Sequence, residues 1–346
     1  MDLAGKTALL TGGCGFIGSH IVDLLIRDER IGRVIIIDNL TRGTVRNIEW
    51  ARERGDVELV QKDIRRLEDI RPYFNGVDVV FHLAAVRITA CGDQPRECLD
   101  VIIDGAYNVV EASVQAGVKR FVASSTASVY GAADSYPTSE EHHPYNNRTW
   151  YGAAKLANEG LYRAFNDMFG FPYMALRYFN VHGPRMDVFG KYTEVLIRWL
   201  DCLDRGERPK IFGDGQTSMD FVYVEDVARA NILAAKSDIV DDVFNIGSGV
   251  ETTLLELLQM LLKVAGQTEV QPEFLPERKI NPVPRRLADV TKAEKKLGFR
   301  AQIGLEEGLR RLVEWRKQVI SANHYTDYIS ETAEAFAAAV SAKGRG

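Results

Sequence analysis

Tyr151 and Lys155 stand four residues apart in the stretch Tyr151-Gly152-Ala153-Ala154-Lys155. On a helix this spacing puts both side chains on one face, with the ammonium one turn from the phenol. A free tyrosine ionises near pH 10. To act as a base near neutrality it must lose roughly 2–3 units, or about 3–4 kcal/mol. A nearby ammonium and the positive nicotinamide of an oxidised dinucleotide can together provide that. The pair alone says little, but the chain opens with Thr11-Gly12-Gly13-Cys14-Gly15-Phe16-Ile17-Gly18. Glycines spaced this way between an apolar run and a helical one aim backbone N–H groups at a pyrophosphate. Gly12 permits the tight turn, Gly15 lets the phosphate approach, and Gly18 lets helix and sheet pack closely. The combination predicts hydride chemistry on a bound dinucleotide. Tyr151 moves a proton, and Lys155 keeps it acidic and can reach a ribose hydroxyl.

Ser124-Ser125-Thr126 ends a short apolar run, 25 residues before Tyr151 when counted from Thr126. Open α/β sheets bind ligands at such strand ends, so a hydroxyl here can polarise the reacting oxygen; simple turn formation is the alternative. Asp38 ends the second apolar run, 20 residues after Gly18. A carboxylate there accepts the adenosine ribose hydroxyls and repels a 2′-phosphate, and Asn39 stands where a cation would be needed, so NAD is favoured over NADP. Arg42 is the neighbouring feature that points the other way. Asp63 and Ile64 follow the third run, where the carboxylate meets the adenine amino group or caps the next helix.

Strands are predicted at 6–11, 33–38, 57–62, 77–82, 120–124 and 173–179, with helices at 16–26 and 151–169 among those between them. This alternation is α/β: a Rossmann-type doubly wound parallel sheet with a smaller C-terminal α/β substrate domain. The NAD-binding domain is expected over 1–180, with 221–247 returning to it. The substrate domain takes 181–220 and 248–320, and a tail runs over 321–346.

The 346 residues carry a net charge of −5 with cations scattered, which argues against a nucleic-acid partner. No apolar run approaches the roughly 18 residues of a membrane span. Cys14, Cys91, Cys98 and Cys202 form no C-x-x-C pair and are read as free thiols in a reducing cytoplasm. His142-His143, beside Pro144, are read as a surface loop, and no metal site is expected.

With these motifs in place, the chain resembles an extended short-chain dehydrogenase/reductase of the NAD-dependent epimerase/dehydratase family, in its sugar-nucleotide branch. The resemblance covers about residues 5–315. It is carried by TGGCGFIGSH at 11–20, DNLTRG at 38–43, FHLAAV at 81–86, SSTASVYG at 124–131, YGAAK at 151–155, LRYFNVHGPR at 176–185 and FVYVEDVARA at 221–230. It implies Thr126, Tyr151 and Lys155 as catalytic residues. It implies NAD held by Gly12, Gly15, Phe16, Ile17, Gly18, Asp38, Asn39, Asp63, Ile64, Leu83, Ala84, Ala85 and Ser124, besides Tyr151 and Lys155. Asn180 matches a ligand of the substrate diphosphate and Phe212 a wall of the nucleobase pocket. A homodimer through a two-fold four-helix bundle is implied as well.

The dehydratases of the family carry Asp-Glu, and its decarboxylases a Glu, where this chain has Ala127-Ser128. That leaves inversion at C4 of a UDP-hexose, its N-acetyl form or its uronic acid, with dehydration, decarboxylation or reduction as alternatives. A non-catalytic NAD sensor would have no use for an intact Thr/Tyr/Lys set. Met219 replaces an arginine that usually grips the diphosphate, so Arg285 or Arg286 is expected to compensate. Ile102 and Trp150 also depart from the usual Asn and Pro. Arg87 is either in reach of a sugar hydroxyl or C6 carboxylate, or on the surface.

Overall fold

The computed structural model of the chain describes residues 1–188, 193–277 and 283–321. Its strands are, in chain order, β1 (Thr7–Thr11), β2 (Arg33–Asp38), β3 (Val57–Gln61), β4 (Val79–His82), β5 (Arg120–Thr126), β6 (Tyr173–Tyr178), β7 (Asn180–His182), β8 (Lys210–Phe212), β9 (Ser218–Tyr223), β10 (Asp242–Ile246), β11 (Glu251–Thr253), β12 (Glu273–Leu275) and β13 (Arg285–Arg286). Seven of them form one parallel sheet in the order β10-β6-β5-β4-β1-β2-β3. The order reverses direction at β1, so the crevice beyond the ends of β1 and β4 is the ligand-binding edge of such a sheet.

The apolar runs are continuous because both faces of the sheet are covered. Alternate residues go to opposite sides. Leu10, Ile36, Phe81, Val122 and Leu176 join one core, while Leu9, Ile35, Val80, Phe121 and Ala175 join the other. The helices Phe16–Arg27 and Val224–Lys236 pack together on the first side. The helices Gly105–Gln115 and Trp150–Phe169 cover the second.

A smaller sheet runs β11-β9-β13, with β7 also paired to β9, and β8 pairs β12. Its core gathers Trp199, Leu200, Leu257, Leu261, Leu309 and Leu312 from the helices Val195–Asp204, Leu254–Ala265 and Leu305–Ser321. Segment 221–247 is divided between the two sheets. β10 extends the large one, whereas β9 is the centre of the small one. Residues 322–346 of the expected tail lie outside the described residues.

Two local expectations are corrected. Cys91 and Cys98 are not free thiols but form a disulfide, while Cys14 and Cys202 are free and buried. The short helices Ile88–Asp93 and Pro95–Leu99 meet at Gln94 and bring the two Cα atoms to 4.9 Å, a juxtaposition that seven residues of spacing do not announce. The bridge lies in a small apolar cluster with Ile102 and Ala154, against which Tyr151 packs. His142 is not a surface side chain: it is 3% exposed, edge-on to Tyr130, with Nε2 2.7 Å from Asp134 Oδ1. His143 does stay outside, 54% exposed and 3.2 Å from the other oxygen of Asp134.

Candidate active site

The glycine turn follows β1. Gly12 has φ +73°, and a Cβ there would lie 2.8 Å from the Ala84 nitrogen, so only glycine fits. A Cβ on Gly18 would meet the Gly12 carbonyl oxygen at 2.4 Å, so the close approach is between helix and turn, where helix and sheet were expected. Gly15 is different: its Cβ would meet only Gly12 O, at 3.2 Å. It N-caps the helix Phe16–Arg27 with no side chain on the helix's first N–H groups. That open end, with its partial positive charge, is suited to a phosphate. Ile17 packs on the large-sheet core and Phe16 on the small-sheet core, so this turn joins the two.

Asp38 is 7% exposed at the end of β2. Its Oδ2 accepts the Cys14 N–H at 3.0 Å and its Oδ1 the Leu40 N–H at 2.9 Å, and burial pushes its carboxyl up. It therefore ties the glycine turn to the next loop, with lone pairs left for ribose hydroxyls. Asn39 Nδ2 donates to Asp63 Oδ2 at 3.3 Å. Burial works upward on Asp63, but hydrogen bonds from Arg65, a fork at 3.0 and 2.6 Å and its N–H, carry the carboxyl below its ordinary range. Asp63 closes its own turn and does not cap the following helix, whose N-cap is Arg66. The Ile64 side chain is buried in the second core. Beyond β4, Leu83 N–H donates to Thr11 O at 3.0 Å and Ala84 N–H to Thr11 Oγ1 at 3.4 Å. Ala85 packs in the cluster that holds Tyr151.

The helix Trp150–Phe169 is capped by Thr149, whose hydroxyl accepts the Gly152 N–H at 3.0 Å. A Cβ on Gly152 would sit 2.5 Å from Ser128 O, so the helix starts hard against the turn after β5. This brings Tyr151 toward the Thr126 hydroxyl, which works to lower the pKa of the phenol. Thr126 Oγ1 also accepts the Ser128 N–H at 3.1 Å. Lys155 is 2% exposed; its Nζ donates to Ser124 O at 2.8 Å and lies 3.4 Å from Ser124 Oγ. Burial pulls it down to about 8, with Glu159 opposing.

One electrostatic expectation changes. Burial raises the Tyr151 pKa, the Thr126 hydroxyl lowers it, and Glu194 raises it further. The cations acting most on the phenol are Arg42 and Arg87, not Lys155, whose ammonium is spent on Ser124. The Arg87 side chain is 14% exposed, with Nη1 3.5 Å from Glu194 Oε1, and so is not freely solvated. Arg42, 3.4 Å from Asp187, is its unexpected neighbour.

At the small sheet, Asn180 Nδ2 donates to Asp220 O at 3.1 Å, and Phe212 is half-buried at the end of β8. The two candidate arginines separate. Arg285 forks onto Glu251 at 2.7 and 2.6 Å and lies 4.7 Å over the Tyr136 ring. Arg286 stands opposite Met219 across β13 and β9. Its buried Nε has no hydrogen-bond partner among the described residues, and burial lowers its pKa.

Sequence reading missed four residues here. His82, pushed to about 3 by burial and by Lys155, meets Thr11 Oγ1 at 2.7 Å. Asp220, fully buried, accepts from Ser248, Gly249 and Ala288 and knits β9 to the following loops. Glu159 and Arg177 form a buried pair beneath the site. A charge inside an apolar run, as with Asp220 in 218–224, was the available signal.

Residues 8–247 match the NAD dependent epimerase/dehydratase family. A UDP-glucose 4-epimerase of Mycolicibacterium smegmatis is 35% identical over 89% of this chain and 97% of its own. The structure of a UDP-N-acetylglucosamine 4-epimerase from Methanobrevibacter ruminantium, in complex with UDP-N-acetylmuramic acid, superposes with TM-score 0.85 at 33% identity, covering 91% of this chain and 99% of that one. A Thermotoga maritima UDP-glucose 4-epimerase with UDP-glucose gives 0.84 at 36%, covering 91% and 100%.

Proposed function

The chain belongs to the NAD-dependent epimerase/dehydratase family, and on that premise we propose that it is an NAD-dependent nucleotide-sugar 4-epimerase. It inverts C4 of a UDP-hexose, or of its N-acetyl or uronic acid form, through a transient 4-keto sugar. The observation that carries this reading is the Thr126–Tyr151–Lys155 assembly at the end of β5, with neutral Ala127 and Ser128 where a dehydratase or decarboxylase would need a carboxylate.

The open N–H groups at Gly15 and the buried carboxylate of Asp38 fit NAD, which would supply a hydride acceptor at C4 and later return the hydride. Tyr151 takes the O4 proton as the C4–O bond becomes a carbonyl. Thr126 hydrogen-bonds the same oxygen and fixes the phenol. Lys155 anchors the helix face against β5 and places its ammonium where a ribose hydroxyl can bind. The ketone then turns its other face to the cofactor site, and Tyr151 returns the proton to the inverted O4. Asn180 and Arg286 are assigned to the diphosphate, Phe212 to the nucleobase, and Arg87 to a sugar hydroxyl or C6 carboxylate.

The cycle is redox-neutral. Purified protein is therefore expected to release NAD(H) on acid treatment and to interconvert C4 epimers of UDP-glucose, UDP-N-acetylglucosamine or UDP-glucuronate without added cofactor, followed by anion exchange and NMR. Stoichiometric consumption of NADH at 340 nm would refute an epimerase.

The same reading carries a cytoplasmic location, where NAD and UDP-sugars are held, a role in polysaccharide biosynthesis, and a homodimer. Ile102, Val109 and Val110 are used by the protein's own cores, but Tyr107, Trp150, Met168 and Phe169 leave large apolar surface on the helices Gly105–Gln115 and Trp150–Phe169. A two-fold pairing of these helices would cover it. Light scattering at micromolar concentration should give twice the chain mass, and a monomer would refute the dimer.

A further inference from the structure

Among the described residues, Asp134, His142 and His143 bring their ligating atoms within 4.8 Å of one another. Neighbouring side chains on an extended chain alternate sides. Here the two imidazoles instead stack, with centroids 4.7 Å and planes 25° apart. Both turn Nε2 to one carboxylate, His142 at 2.7 Å from Oδ1 and His143 at 3.2 Å from Oδ2. The expectation of no metal rested on the order of residues, in which Asp134 stands eight positions before His142, outside any familiar ligand spacing.

The proton on His142 is assigned from its contacts. Its Nδ1 is 2.6 Å from the His143 carbonyl oxygen, which can only accept, so Nδ1 carries the proton. In the neutral ring Nε2 then presents a lone pair, and the Asp134 N–H donates to it at 3.2 Å. Yet the same nitrogen stands 2.7 Å from a carboxylate oxygen. Two acceptors meet at that distance only with a cation between them. A proton answers for this contact alone, whereas a divalent ion answers for both rings and the carboxylate together. An Nδ1–H held by a backbone carbonyl is also how an imidazole is fixed for metal binding through Nε2. Two ligands about 2.0–2.1 Å from a tetrahedral ion stand about 3.3 Å apart, so the pairs at 2.7 and 3.2 Å need little opening. Binding through His143 Nε2 moves that ring's proton to Nδ1 and gives up one long bond, from the Tyr145 N–H at 3.3 Å. The His142 side chain is 3% exposed, but Asp134 and His143 are 62% and 54% exposed and free to close on an ion.

We propose that Asp134, His142 and His143 bind a divalent transition ion of the zinc class, and that this ion staples the segment 131–149 between the turn after β5 and the helix of Tyr151 and Lys155. Two imidazoles and a carboxylate suit zinc, cobalt or nickel, whereas calcium and magnesium take oxygen ligands. The His142 ring is edge-on to Tyr130, whose hydroxyl donates to Asn245 Oδ1 at 2.6 Å and accepts from Arg177 Nη1 at 2.8 Å. At the far end of the segment, Thr149 caps the helix. The ion is structural, and no step of the reaction is assigned to it.

The test uses the whole chain as purified, stripped of metal with EDTA and titrated with zinc chloride by calorimetry. One ion per chain is expected, with Tm rising as zinc is added. Asp134→Asn and His143→Asn change exposed side chains, so both should keep the metal-free Tm and the NAD content while binding zinc at least ~10²-fold more weakly. Cobalt gives a second reading: visible d–d bands should appear in the wild type and in neither variant. No saturable zinc binding by the wild type overturns the proposal and leaves the His142–Asp134 contact to a proton. Undiminished binding in both variants overturns it as well, because the ion is then held elsewhere. Should Asp134→Asn lower the metal-free Tm, His143→Asn decides alone. Turnover is not a readout, so the result stands apart from the epimerase reading.

Discussion

Tyr151→Phe should lose at least ~10²-fold in kcat, the usual cost of removing a positioned acid/base. The substitution deletes one oxygen and leaves the ring in its cluster with Ala85, Cys91 and Cys98, so the helix and its Thr149 cap should stand. NAD content should stay at the wild-type level, because the anchors assigned to it, the Gly15 turn and Asp38, are on other elements. The pH profile gives a second check. Burial raises the Tyr151 pKa, so the phenol is protonated near neutrality, and wild-type kcat/KM should climb with pH as the phenolate forms. In Tyr151→Phe that rising limb should vanish. Near-native turnover, or a surviving limb, would take Tyr151 out of the mechanism.

Arg286→Ala should weaken UDP-sugar binding ~10–100-fold, the value of one charge-assisted contact of roughly 1.5–3 kcal/mol. Arg286 stands beside Met219, where an arginine is usual, and its buried Nε lacks a partner among the described residues. An unpaired buried donor of this kind is poised for an anion. Arg285→Ala should change the same affinity less than ~3-fold, since its guanidinium is spent on Glu251 and Tyr136. Met219→Arg should weaken binding rather than tighten it. Opposite residues of neighbouring strands share a face, so two cations would crowd one site. Tighter binding by Met219→Arg, or wild-type affinity in both arginine-to-alanine variants, would show that the diphosphate is held elsewhere. NAD affinity serves as the internal control in all three.

The large sheet and the glycine turn after β1 were legible because local rules suffice for them. Buried parallel strands must be apolar runs, and a turn that meets Ala84 at 2.8 Å must be glycine. Asp38, Thr126, Tyr151 and Lys155 were legible for a related reason: a strand end and one helix face define where each side chain goes. What stayed hidden depends on pairings between distant segments. The Cys91–Cys98 bridge needed two short helices to fold back at Gln94. The different surroundings of Arg285 and Arg286 needed the β9–β13 register and the position of Glu251, 34 residues before Arg285. The electrostatics of Tyr151 needed Arg42 and Arg87, which come from different loops.

The amino-acid sequence by itself determined the strand–helix order, the glycine turn and the placing of Thr126, Tyr151 and Lys155 on a strand end and one helix face, since each follows from residue type and short-range geometry. Only the tertiary structure decided which charges face those residues. Lys155 turns to Ser124, Glu159 is clamped between Ser125 and Arg177, and Arg285 is already occupied by Glu251. Burial and charge act through space, and the distances that set their strength exist only once the chain is folded.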